Sequence, residues 1–145
     1  VVAARGPRLV VDPAQPVQEL LDAQLDKAVE AVMQRCSQLT IDEDRTWQRA
    51  RRAVYHAMNV AQVMPRNRRA HRIRRRLGRI ADAMAGTGSV IDSPTPSDIS
   101  HMTPMAAYEA GRETERRIVV QRRLRAGFAD DWPKLRSKLR KVVKA

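Results

Sequence analysis

Residues 46–85 read TWQRARRAVYHAMNVAQVMPRNRRAHRIRRRLGRIADAMA, and their periodicity decides the fold. At about 100° per residue, Trp47, Ala50, Val54, Ala57, Met58, Ala61 and Met64 share one arc, while Arg45, Arg49, Arg52 and His56 share the opposite one. This spacing predicts a helix over 41–64. Pro65 lacks an N–H and restricts the residue before it, so it stops that helix. After the turn Pro65-Arg66-Asn67 the pattern resumes over 68–85. Ala70, Ile73, Leu77, Ile80, Ala81 and Met84 occupy an arc of about 100°. Arg68, Arg69, Arg72, Arg75, Arg76 and Arg79 occupy the far side, with Arg74 on the flank. Gly86 and Gly88 end the segment. Two helices joined by a short turn, each apolar on one side and basic on the other, predict an antiparallel αα-hairpin with an arginine outer face.

The charge distribution sharpens this reading. Of 145 residues, 28 are Lys or Arg and 16 are Asp or Glu, a net charge of +12. Residues 1–44 carry eight acids and four bases, residues 45–80 carry twelve arginines and no acid, and residues 81–145 carry twelve bases and eight acids. One quarter of the chain thus holds the equivalent of the whole excess. Arginine contacts phosphate through two donors at once, whereas lysine acts as a point charge. An acid-free block of this kind repels itself and calls for a polyanion, of which nucleic acid is the usual one.

Outward from the hairpin, residues 1–16 contain three prolines and little period, which predicts an extended arm. Val17, Leu20, Leu21, Leu25, Ala28, Val29, Val32, Met33, Cys36 and Leu39 make one stripe, predicting a helix over 17–39 with Cys36 as a buried thiol. Thr40 and Glu43 fit a capping box, and Asp42, Glu43 and Asp44 place negative charge where a helix start favours it rather than forming a metal site. Residues 87–103 read as a linker. Thr103-Pro104 fits an N-cap and first helical position, opening a helix over about 104–127 with a poor apolar stripe and a Glu113/Arg117 pair. Asp131-Trp132-Pro133 suggests a fresh start and a last basic helix over about 132–143, with Leu135, Leu139 and Val142 inside. The fold class is therefore all-α, with a helical core over 17–86 and a basic helical C-terminal extension over 104–145.

Several function classes drop out. There is one cysteine, so no disulfide framework or multi-cysteine metal site. No glycine-rich phosphate loop, HExxH or CxxC occurs, so no enzyme, metal or cofactor is expected. No apolar run reaches the roughly 18 residues of a membrane span. Five aromatic residues, Trp47, Tyr55, Tyr108, Phe128 and Trp132, are too few for a base-stacking platform. What remains is recognition of backbone charge and nucleic-acid shape. The candidate RNA-binding residues are Arg45, Arg49, Arg52, Arg66, Arg68, Arg69, Arg72, Arg75, Arg76 and Arg79 on the hairpin, and Lys138 and Lys141 near the C-terminus.

Residues 46–85 also resemble the hairpin of the ribosomal large-subunit protein family numbered twenty-nine, in its mitochondrial branch. Trp47 and Asn59 stand where that family carries a Trp in the first helix and an Asn late in it. Pro65 matches its loop, and Arg72-Ile73-Arg74-Arg75-Arg76-Leu77-Gly78-Arg79-Ile80 is similar to its second helix. The resemblance implies a structural constituent of the large ribosomal subunit in the mitochondrial matrix. Its partners would be rRNA and neighbouring ribosomal proteins, with no small-molecule substrate. Two other classes fit the residues: a basic helical accessory subunit of another assembly, and a nucleoid-type DNA-binding protein.

Overall fold

The apolar arcs of the sequence become the inner faces of a four-helix arrangement. The structure is a computed structural model and describes residues 15–88 and 100–145. These residues form α1 (Gln15–Ser37), α2 (Asp44–Gln62), α3 (Arg68–Ala83) and α4 (Pro104–Lys144), with no strand among them. The all-α class is as the sequence suggests. Most of the expected arm, 1–16, and linker, 87–103, lies outside the described residues.

Local chemistry sets the helix starts. The α3 start is capped by Asn67, whose Oδ1 accepts from the Ala70 N–H at 3.0 Å, while its Nδ2 donates to Asp22 Oδ1 at 3.3 Å. Thr103 caps α4 by accepting from the Ala106 N–H at 3.2 Å, with Pro104 at the first position. The capping box expected at Thr40 and Glu43 does not form. Helix α2 begins at Asp44, with Glu43 as an N-cap that makes no side-chain bond. The Thr46 hydroxyl instead donates to the Glu43 carbonyl at 2.8 Å, and Trp47 Nε1 donates to the Thr40 carbonyl at 3.0 Å. The neighbouring acids are used across the fold: Asp42 meets Arg122 at 2.9 Å and Asp44 meets Arg125 at 2.7 Å.

The second departure is α4, one 41-residue helix where two were expected. Asp131-Trp132-Pro133 is not a helix start. Gln121, Arg125, Phe128, Trp132, Leu135, Leu139 and Val142 follow spacings of four and three, and all are buried or partly buried. That stripe anchors the chain on both sides of Pro133. Pro133 and Ala129 are both exposed, so water can replace the donor that Pro133 lacks. Residues 121–142 thus belong to the core and are not a separate extension.

Cross-links fix the helix directions. Arg51 near the start of α2 donates to the Met84 carbonyl beyond the end of α3, while the turn at 63–67 joins their other ends. Arg69 at the start of α3 donates to the Val143 carbonyl at the end of α4, and Arg125 donates to the Thr87 carbonyl beyond the end of α3. Trp132 Nε1 contacts Ser37 Oγ at 3.4 Å, closing α4 against α1. Successive helices therefore alternate up and down. Leu25, Val32, Trp47, Val54, Ile73, Leu77, Ile80, Phe128 and Leu139 fill the centre. Phe128 meets Trp47 edge-on at 5.7 Å and stacks on Trp132 at 6.0 Å.

Candidate nucleic-acid interface

The burial of α3 on one side fixes its other side. Ala70, Ile73, Leu77 and Ile80 are 0% exposed, so the helix cannot rotate without opening the core. Arg68, Arg72, Arg75 and Arg79 are consequently held exposed at spacings of four, three and four, with Arg76 half-buried beside them. Four of these arginines, Arg72, Arg75, Arg76 and Arg79, line one cleft of about 180 Å³ together with Val142 of α4. At the turn, Pro65, Arg66, Asn67, Arg68, His71 and Arg72 line a hollow of about 440 Å³. Arg72 belongs to both, so the two basic surfaces are continuous. Arg45, Arg49 and Arg52 are exposed on α2, on the arc opposite its buried face.

On α4, Lys138 is half-buried and Lys141 exposed. Lys141 lines a hollow of about 360 Å³ with Pro133, Arg136, Ser137, Arg140 and Lys144. Arg136, Arg140 and Lys144 were not among the candidates from sequence. Once residues 121–142 are seen as one stripe, the basic residues between its members stand out as a charged back to a docked helix.

The structure also separates arginines that hold the fold from arginines that do not. Arg69 was expected on the outer face, but it meets Asp26 at 2.5 Å and donates to the Val143 carbonyl at 2.9 and 3.2 Å. It sits at the edge of the buried arc, close enough to α4 to cap its C-terminal carbonyls. Arg125 is 1% exposed. It donates to the carbonyls of Ile41 and Thr87 at 2.6 and 2.9 Å and to Asp44 at 2.7 Å, and it lies 5.2 Å over the Trp47 ring. Among the described residues no carboxylate comes within 4.0 Å of Arg66, Arg68, Arg72, Arg75, Arg76 or Arg79.

Among the described residues no group of His, Cys, Asp and Glu could hold a metal ion, and no helix is long and apolar enough to cross a membrane. Cys36 is buried, and loss of solvation pushes its thiol up to about 12, so it stays protonated and unreactive at neutral pH. The surface therefore offers guanidinium and ammonium groups on rigid helices, which suits the binding of phosphate oxygens by charge and hydrogen bonds. No known protein family, curated protein or solved structure matches the chain.

Proposed function

We propose that this chain is a structural RNA-binding protein of a ribonucleoprotein particle, and specifically a constituent of the large ribosomal subunit of mitochondria. The observation that carries RNA binding is the outer face of α3, whose arginines stand in regular rows with no described carboxylate to neutralise them. The opposite face of the same helix is sealed in the core, so these side chains are presented at fixed positions. The resemblance of residues 46–85 to ribosomal large-subunit family twenty-nine supports the ribosomal part of the proposal. Binding would act on the phosphate backbone and on the shape of folded rRNA, with neighbouring ribosomal proteins as further partners. No catalytic step is proposed.

Co-sedimentation tests the reading. The protein should travel with large-subunit particles and leave them after ribonuclease treatment. If roughly six arginines meet phosphates, the slope of log affinity against log salt should be on the order of −4 to −5. Association that survives ribonuclease would favour an accessory subunit of a protein assembly, and preference for DNA over RNA would favour a nucleoid protein. A salt slope near zero would reject phosphate binding altogether.

A further inference from the structure

The basic residues on α3 and on the C-terminal half of α4 form a pair. These two helices run antiparallel, and two cross-links set their register: Arg69 reaches the Val143 carbonyl, and Arg125 reaches the Thr87 carbonyl. Arg72 is therefore level with residue 140, Arg76 with residue 136 and Arg79 with residue 133. On the α3 wheel, Arg76, Arg72 and Arg79 lie successively further from the buried arc on the side that turns to α4, the side on which Arg69 and Arg76 meet it. On the α4 wheel, Val142 marks the side that turns to α3, because it closes the arginine cleft. Continuing outward from Val142 at about 100° per residue come Asp131, Lys138, Lys134 and, on the back of the helix, Lys141. Lys138 is half-buried, as a residue at the edge of a helix–helix contact should be, and Lys134 and Lys141 are exposed.

Two rows of cations thus flank a groove floored by Val142: Arg72, Arg76 and Arg79 on one side, Lys138 and Lys134 on the other, with Lys141 beyond them on the back of α4, where it lines the hollow shared with Arg140 and Lys144. Within each row the charges step by about 4.5–6 Å along the helix axis. Packed helix axes lie about 8–10 Å apart. Double-stranded RNA is A-form, and its deep, narrow major groove brings the phosphates of its two strands to face each other, an arrangement that two neighbouring rows of cations match. Asp131, one turn before Lys134, is the first acid on this side of α4 and ends the row.

We propose that this groove is a two-sided phosphate grip for double-stranded RNA, with α3 following one strand and α4 the other. The inference rests on the RNA-binding reading above and adds the form of RNA and the second wall. Every residue in the grip contacts backbone, so binding follows duplex shape and not sequence.

The test uses the whole chain and fluorescence anisotropy, with an RNA duplex of about 20 base pairs and a single strand of the same length, across a salt series. Three variants carry equal charge changes: R72Q/R76Q on α3, K134Q/K138Q on the groove flank of α4, and R112Q/R116Q on the exposed first part of α4, away from every basic hollow described above. Circular dichroism confirms that each keeps its helicity. The wild type should bind duplex at least about tenfold more tightly than single strand. R72Q/R76Q and K134Q/K138Q should each weaken duplex binding by roughly tenfold to a hundredfold and reduce the salt slope by about 2. R112Q/R116Q should stay within about threefold of wild type. Equal losses from K134Q/K138Q and R112Q/R116Q would replace the grip with diffuse attraction. Equal affinity for single strand would leave only one wall. In both cases the RNA-binding proposal would survive while the grip would not. If the wild type bound no RNA, or R72Q/R76Q kept full affinity, the broader proposal would fall as well.

Discussion

Arg125 shows how much of this fold depends on single side chains. Its five donors face two backbone carbonyls and one carboxylate from three separate segments, the α1–α2 loop, the start of α2 and the chain just past α3. Removing this side chain opens a cavity beside Trp47 and leaves the carbonyl of buried Thr87 unsatisfied, while half-exposed Asp44 turns to water. Arg125→Ala should therefore cost about 2–4 kcal/mol, measured by thermal or denaturant unfolding. A loss below about 1 kcal/mol would mean that water takes over the site. Leu77→Ala should cost about 2–5 kcal/mol by the same measurement, since Leu77 is fully enclosed. Cys36 supplies a pH test. Burial favours the neutral thiol in the folded chain more than in the unfolded one, so its contribution to stability is whole below the ordinary value of 9 and fades as pH rises towards about 12. A thiol reagent at pH 8 should modify Cys36 only as fast as the protein opens, and instant modification of the folded chain would contradict its burial.

At the scale of elements, α4 carries an apparent contradiction, a proline in mid-helix. Pro133 is exposed and interrupts a stripe that packs well on either side of it. Pro133→Ala should restore the missing hydrogen bond to Ala129 and raise stability by about 1–3 kcal/mol, read from the unfolding midpoint. No gain would mean that the local backbone is already relaxed around the ring. The same helix shows where the sequence was readable. The buried faces of α2 and α3 follow directly from residues 47–84, because apolar residues recur every third or fourth position and the intervening ones are largely polar, many of them arginine. The stripe of α4 is hidden by Gln121 and Arg125, two polar residues that are buried only because Gly88, Thr87, Ile41 and Asp44 come from elsewhere to satisfy them. No local pattern announces such partners. The acids at 42–44 mislead for the same reason: they look like a helix start and serve as counter-charges to α4. The arginine face of α3 is legible as a basic surface, but its second wall emerges only once α4 is seen to lie beside it.

For the whole molecule, the long helix has a mechanical meaning. Residues 104–120 include no buried position, whereas 121–142 are docked in the core, and no break separates the two parts. The first 17 residues of α4 extend about 25 Å along its axis. Spin labels at Met105→Cys and Ala129→Cys, in a Cys36→Ser background, should report one narrow distance near 36 Å, roughly 24 residues at 1.5 Å each. A broad or bimodal distribution would show a hinge that the helix does not have here. Because the rod is continuous, it works as a lever. A load applied near Met105 reaches the bundle as torque, and a tilt of about 10° at the bundle sweeps the tip through roughly 4 Å. The fulcrum lies where the helix leaves the core, and the side chains gripping it there are Gln121 on Gly88 and Arg125 on three segments at once. The most heavily tethered arginine among the described residues thus stands at the point where leverage on the fold is greatest.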